Sequence, residues 1–360
     1  MIYLDWAATT PICEAAKEVI REHIDDFGNP SSSHELGRQA RVLIEDARAR
    51  IAKCINAGPE EIYFTSGGSE ANTWVINNLT CIASNLEHHS IDADYYFPVD
   101  LQTGLAHSSV CRKINYWTDE MVSCAYVNNE IGVIQSIKAI AEAAHDKKMW
   151  FHTDAVQAVG HIPVNVKDID CDLLSASAHK FGGMKGSGFL FVKNNGPELD
   201  RLINGGKQES GLRGGTENVL GIISMAAALE DAVAHMEERN AWIKYLRDKL
   251  LDRLLQIPGS HLNGSLENRV PGNINIRFSG VSGAKLVTLC SLYGVYISSG
   301  SACNEGVSTP SHVLKAIGLT DEEALSSVRI TIGHTNTEQE IDTAANIITS
   351  LVERIRNENT

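Results

Sequence analysis

Cys171-Asp172-Leu173-Leu174-Ser175-Ala176-Ser177-Ala178-His179-Lys180 reads as a short apolar run that passes into small residues and closes on a basic pair before Phe181-Gly182-Gly183. The run is too short for a buried helix and is stopped by glycine, so it is a strand over Asp172–Ser177. Upstream, Met149–Thr153 is a second strand, and Ser136–Lys148 before it has the spacing of a helix. Met121–Asn128 and Gly188–Val192 add strands on either side. Strand alternating with helix predicts an α/β fold, a mainly parallel sheet with helices on both faces. Ligands of such sheets bind beyond the carboxyl ends of the strands, which is where Asp154 and Lys180 fall.

Working outward, Leu36, Ala40, Leu43, Ala47, Ile51 and Ile55 recur at helical spacing and predict an amphipathic helix over Leu36–Ile55. Ile62–Thr65 is a strand that breaks into Ser66-Gly67-Gly68-Ser69 and then a helix from Glu70 to Leu79. Glu217 to Ile257 reads as one long helical region stopped by Pro258-Gly259. Beyond it follow strand Asn273–Phe278, helix Gly283–Tyr293, strand Val295–Ser298, a Gly/Ser-rich loop, helix Pro310–Ile317, strand Val328–Ile332 and a last helix opened by a Thr337/Glu340 capping box. This change of spacing divides the chain into a large domain, 14–240, and a smaller α+β domain formed by 1–13 and 241–360.

The 360 residues, 43% of them hydrophobic, suffice for a sizeable core. A formal net charge of −14 with no dense basic cluster argues against direct nucleic-acid binding or an anionic membrane surface. The longest uncharged stretch, Leu286–Asn304, is broken by glycines and serines, so no membrane span is expected, and Met1–Trp6 shows no secretory signal. The eight cysteines form no CxxC pair and no Cys/His cluster of metal spacing, which predicts reduced thiols, no metal site and a cytoplasmic protein.

Three features carry chemistry. An amine in an apolar cleft loses solvation of its charged form, so Lys180 is a candidate nucleophile toward a carbonyl, although a lysine just past a strand is ordinarily a surface residue. A strand-to-helix glycine turn such as Ser66–Ser69 points backbone N–H groups at an anion, a phosphate above all. Asp154 at a strand end, followed by Gln157, is placed to pair with a protonated ring nitrogen.

Anion turn, acid and lysine in that order resemble the fold-type I pyridoxal-phosphate enzymes of the class V aminotransferase group. The match extends to Tyr3-Leu4-Asp5-Trp6-Ala7-Ala8-Thr9-Thr10-Pro11, Phe27-Gly28-Asn29-Pro30-Ser31-Ser32, Val127-Asn128-Asn129-Glu130-Ile131-Gly132, the stretch from His152 to Gly160, and Ser298–Cys303. In these motifs, spread from residue 3 to about 342, the chain is similar to cysteine desulfurases of the NifS and IscS kind. The resemblance implies pyridoxal 5'-phosphate held on Lys180, with Gly68, Ser69, Ser177 and His179 at its phosphate. Asp154 falls at the ring nitrogen, Gln157 at the ring hydroxyl and His88 over the ring, His89 being the neighbouring alternative. Asn129 and Arg329 would hold the carboxylate of L-cysteine, and Thr216 would complete the phosphate site of a partner subunit in a homodimer.

Cys303 sets the implied reaction. Its neighbours in Ser298–Gly306 have almost no bulk and two glycines, a composition suited to carrying a thiol in and out of a cleft. The resemblance implies that the Cys303 thiolate takes sulfur from L-cysteine, releasing L-alanine, and passes the persulfide to an acceptor protein for iron–sulfur assembly or thiolation of tRNA, DNA or a cofactor. An imidazole or a helix N-terminus would activate the thiol. Selenocysteine lyase and an ordinary class V aminotransferase are the alternatives on the same fold. Lys207, Ser210 and Gly211 depart from the residues usual near Thr216, as does Asn304–Ser308 after Cys303. The chain ends at Thr360 without the longer tail by which some relatives meet a scaffold.

Overall fold

The computed structural model describes residues 1–107, 120–299, 301–304 and 307–358, with the backbone alone for 301–304, 307 and 308. Cys111 and the side chain of Cys303 therefore lie outside the described residues.

Seven strands form the main sheet in the spatial order Ile62–Thr65, Gly188–Val192, Leu173–Ser177, Trp150–Asp154, Met121–Ser123, Cys81–Ser84 and Tyr95–Phe97. Gly188–Val192 runs antiparallel to both of its neighbours and the remaining pairings are parallel. The central strands are buried on both faces, which explains why they read as nearly continuous apolar runs. The helix Glu35–Cys54 turns Ala40, Ile44, Ala47 and Ile51 into the core beside this sheet. A second, antiparallel sheet has the order Ser298–Ser299, Ser327–Thr331, Asn273–Phe278, Ser260–Leu262. Its core gathers Leu4, Leu250, Ile276, Phe278, Val328, Ile348 and Val352.

The structure departs from the sequence reading in several places, beginning with strands Cys81–Ser84 and Tyr95–Phe97 and helix Glu14–His23, which were not expected. The helical region 217–257 is two helices, Val219–Ala234 and Met236–Leu255, meeting at 71°. At the bend, Asp231 accepts from the His235 backbone N–H and from Arg239 Nη1. The first helix packs on Glu14–His23 and Glu35–Cys54, the second on the C-terminal helix Glu338–Glu358, so the bend lets each face a different core. Met121–Asn128 is a strand only to Ser123, although Cys124 and Tyr126 still donate to the carbonyls of His152 and Asp154. The expected strand Val295–Ser298 is split, Val295–Tyr296 pairing with Ile2–Tyr3 and Ser298–Ser299 with the second sheet. Finally, the backbone of the Gly/Ser-rich loop is a hairpin, Ser301–Asn304 against Val307–Pro310, with Cys303 opposite Ser308. No single helix among the described residues is long and apolar enough to cross a membrane.

Candidate active site

The carboxyl ends of the parallel strands converge on a cavity of about 300 Å³. Ten of the twelve residues singled out from sequence line it: Gly68, Ser69, His88, Asn129, Asp154, Gln157, Ser177, His179, Lys180 and Arg329. Thr216 is exposed and outside it. The side chain of Cys303 is the twelfth.

The last turn of strand Leu173–Ser177 delivers His179 and Lys180. Lys180 Nζ donates to the carbonyls of Ala7 and Ala8, each at 2.8 Å. Burial, followed by the positive charge of Arg329 and opposed by Asp154 and Asp5, pulls its pKa down to about 8. His179, hydrogen-bonded to Thr9 Oγ1 at 3.1 Å, is pushed by burial and then by Lys180 to about 4, so it is a neutral polar group near pH 7.

Asp154, which also lines the cavity, is 7% exposed; its Oδ2 accepts from Asn72 Nδ2 at 2.7 Å and its Oδ1 from the Val156 N–H at 3.0 Å. Gln157 Nε2 donates to Ala7 O at 2.9 Å. The turn 66–69 feeds the helix Gly68–Ile76, whose N-terminus faces the cavity at Gly68 and Ser69. Gly67 holds φ 154°, and a Cβ on Gly68 would lie 2.4 Å from Val156 Cγ2, so both positions of the turn favour glycine. The neighbouring segment 205–216 is fixed to this corner. Glu209, at 5% exposed, accepts from Arg48 Nη1 and Nη2 and from the Phe64 N–H at 2.8–2.9 Å, while Arg213 Nε donates to Glu70 at 2.8 Å.

Arg329 enters from the second sheet. Its Nη1 donates to Asn129 O at 2.9 Å and its Nη2 to Asp5 Oδ1 at 2.8 Å, while its buried Nε has no partner among the described residues. An arginine that lines a cavity with three of its five N–H donors engaged is suited to a carboxylate.

The residues flanking the Cys303 hairpin contact a cavity-lining residue on one side and the neighbour of another on the other side. Ser298 Oγ accepts from Arg329 Nη2 at 3.3 Å, and Ser311 Oγ donates to Glu130 Oε2 at 2.6 Å, next to Asn129. His312 Nε2 lies 2.9 Å from Glu87 O, and its ring is 4.6 Å from that of His89. His88 lines the cavity while His89 packs on His312, which separates the two neighbours that the short motif left open. The thiols of Cys13, Cys54, Cys171 and Cys290 are all pushed up by burial, Cys54 to about 11, so none of these four is a ready thiolate.

Sequence reading missed Asn72, Ser90 and Asp5 as parts of the site. Asp5 lay within a quoted motif, but its pairing with Arg329 spans 324 residues and follows from the N-terminal segment crossing onto the second sheet. Asn72 carries no motif at all, being one helical turn beyond the glycine turn.

The geometry gives an amine of lowered pKa, an acid, an anion cradle and an arginine in one cavity. A family model described as Aminotransferase class-V matches residues 2–343. A protein named Cysteine desulfurase IscS from Methanosarcina thermophila is 39% identical over 377 aligned positions, covering 99% of this chain and 93% of that protein. The X-ray structure of a NifS-like protein from Rickettsia africae has a TM-score of 0.90 at 33% identity and covers 99% of each chain. A structure described as SspA in complex with cysteine has a TM-score of 0.80 at 32% identity, covering 94% of this chain and 100% of the other. With its fold, its cavity and nearly its whole length matched, the chain belongs to the class V aminotransferase family.

Proposed function

We propose that the protein is a cysteine desulfurase whose persulfide forms on Cys303. The observation that carries this reading is the anchoring of the Cys303 hairpin, at Ser298 and Ser311, to the rim of the cavity that holds Lys180, Asp154 and Arg329. Such a placement has no use in an ordinary amino transfer.

The cofactor is pyridoxal 5'-phosphate, and the residues present fit it. The glycine turn leaves room for a phosphate at a helix N-terminus, Ser69, Ser177 and His179 add polar groups there, and Lys180 has the lowered pKa that covalent capture of an aldehyde needs. When bound, it supplies an electron sink for the pair left at the substrate Cα. Asp154, held by Asn72 and the Val156 N–H, keeps the ring nitrogen protonated, and Gln157 addresses the ring hydroxyl. Arg329 and Asn129 grip the carboxylate of L-cysteine. Lys180 would take the Cα proton. The Cys303 thiolate attacks the substrate sulfur, so the Cβ–S bond breaks as a new S–S bond forms on Cys303. The electron pair of the broken bond stays on the alanine carbons, His88 gives a proton to Cβ, Lys180 returns to Cα the one it took, and L-alanine leaves.

The protein works as a homodimer in which Thr216 reaches the partner's phosphate site. Exposure of Thr216 in the single chain and the fixing of segment 205–216 by Glu209 and Arg213 support this. Residues 14–240 form the cofactor-binding domain, and 1–13 with 241–360 the domain that bears Cys303. A cytoplasmic acceptor protein takes the persulfide. With L-cysteine as substrate, Cys303→Ser is expected to lose sulfide release while keeping the cofactor's visible absorbance; undiminished release by that variant would overturn the reading.

A further inference from the structure

A hydrogen-bond chain joins two residues that line the cavity, Asp154 and His88. Asn72, 1% exposed on the helix Gly68–Ile76, donates from Nδ2 to Asp154 Oδ2 at 2.7 Å and to Ser90 Oγ at 2.9 Å. A carboxylate only accepts, so the amide must turn its NH₂ this way. Ser90 Oγ, which accepts from Asn72, lies 2.8 Å from His88 Nδ1. The Ser90 backbone N–H reaches the same nitrogen at 3.2 Å. A backbone N–H can only donate, which leaves Nδ1 as the lone-pair nitrogen, and the single proton of a neutral imidazole then sits on Nε2. His88 lines the cavity, and its Nε2 has no partner among the described residues.

We propose that Asn72 and Ser90 are positioning residues that hold His88 as its Nε2–H tautomer, with the proton ready for delivery into the cavity, and that tie this state to the Asp154 carboxylate. Protonating Nδ1 as well would set it against the Ser90 backbone N–H, so that contact opposes the imidazolium. Partial burial acts in that direction too, with His89, Lys180 and His312 adding to it and Asp154 opposing it. What the proton is used for rests on the desulfurase reading; the tautomer does not.

The test is nitrogen-15 NMR of the histidine-labelled holoenzyme near neutral pH, with His88 assigned by its loss in His88→Gln, alongside turnover of L-cysteine. In the unsubstituted protein His88 is expected to show a bare Nδ1 and a protonated Nε2. Ser90→Ala should admit a measurable Nδ1–H population and lower kcat about tenfold, with KM changed less than twofold, as loss of one positioning hydrogen bond implies. Ser90→Thr, which keeps the hydroxyl, should restore both readouts. An Nδ1–H tautomer in the unsubstituted protein overturns the proposal even if no variant folds, and so does Ser90→Ala with tautomer and kcat unchanged. A protein without desulfurase turnover but with the Nε2–H tautomer would refute the reaction and leave the positioning role standing.

Discussion

The lowered pKa of Lys180 has a consequence that is open to direct measurement. Burial and Arg329 hold that pKa at about 8 against an ordinary 10.5. At pH 7 about one amine in ten is then neutral instead of about three in ten thousand, roughly a 300-fold gain in nucleophile. Protein stripped of cofactor and mixed with pyridoxal phosphate in a stopped-flow spectrometer should therefore load at a rate that climbs tenfold per pH unit and levels off near pH 8. Arg329→Gln removes the second-largest cause of the shift and releases Asp5, whose attraction for the ammonium acts in the same direction. The plateau should move up by on the order of one unit, and loading at pH 7 should slow about tenfold. A rate in the unsubstituted protein that continues to climb to pH 10 would refute the argument, as would a plateau indifferent to Arg329.

Other consequences follow from the same geometry. Arg329→Lys keeps the charge and loses the planar fork, so KM for L-cysteine should rise about 10- to 100-fold in steady-state assays, with the cofactor still bound. Glu209→Ala would leave the guanidinium of Arg48, itself 8% exposed, without its bidentate partner, and urea denaturation should register a loss of about 3–5 kcal/mol. Glu87 is buried, with Oε1 accepting from Ser84 Oγ and the Ala125 N–H and Oε2 unpartnered among the described residues, and burial raises its pKa from 4.5 to about 7. Because the folded state holds this proton more tightly, stability is full below the unfolded pKa and falls as pH rises through the folded one. Glu87→Gln should therefore melt like the unsubstituted protein near pH 4.5 and above it at pH 8.

Much of this architecture was legible in the chain because local pattern and burial agree. The helix Glu35–Cys54 lies one residue from its expected bounds, and Gly188–Val192 and Asn273–Phe278 match theirs. The capping box is formed as read, Thr337 N–H to Glu340 Oε2 at 3.0 Å and Glu340 N–H to Thr337 Oγ1 at 3.2 Å. The bend at His235 was not legible, since no proline or glycine marks it and it is held by the side chains of Asp231 and Arg239. For the same reason the cavity residues that stand at strand ends or in glycine turns were accessible from sequence, whereas Asn72, Ser90 and Asp5 were not. Their roles come from partners 82, 18 and 324 residues away.

The central claim is that sulfur passes through Cys303. Mass spectrometry of the protein after brief exposure to L-cysteine, with free thiols blocked and the digest mapped, tests it most directly. The account predicts one added sulfur atom on the peptide that carries Cys303 and none in a Lys180→Ala variant. Equal sulfur on other cysteine peptides, or L-alanine formed with Cys303 unmodified at every time point, would contradict it.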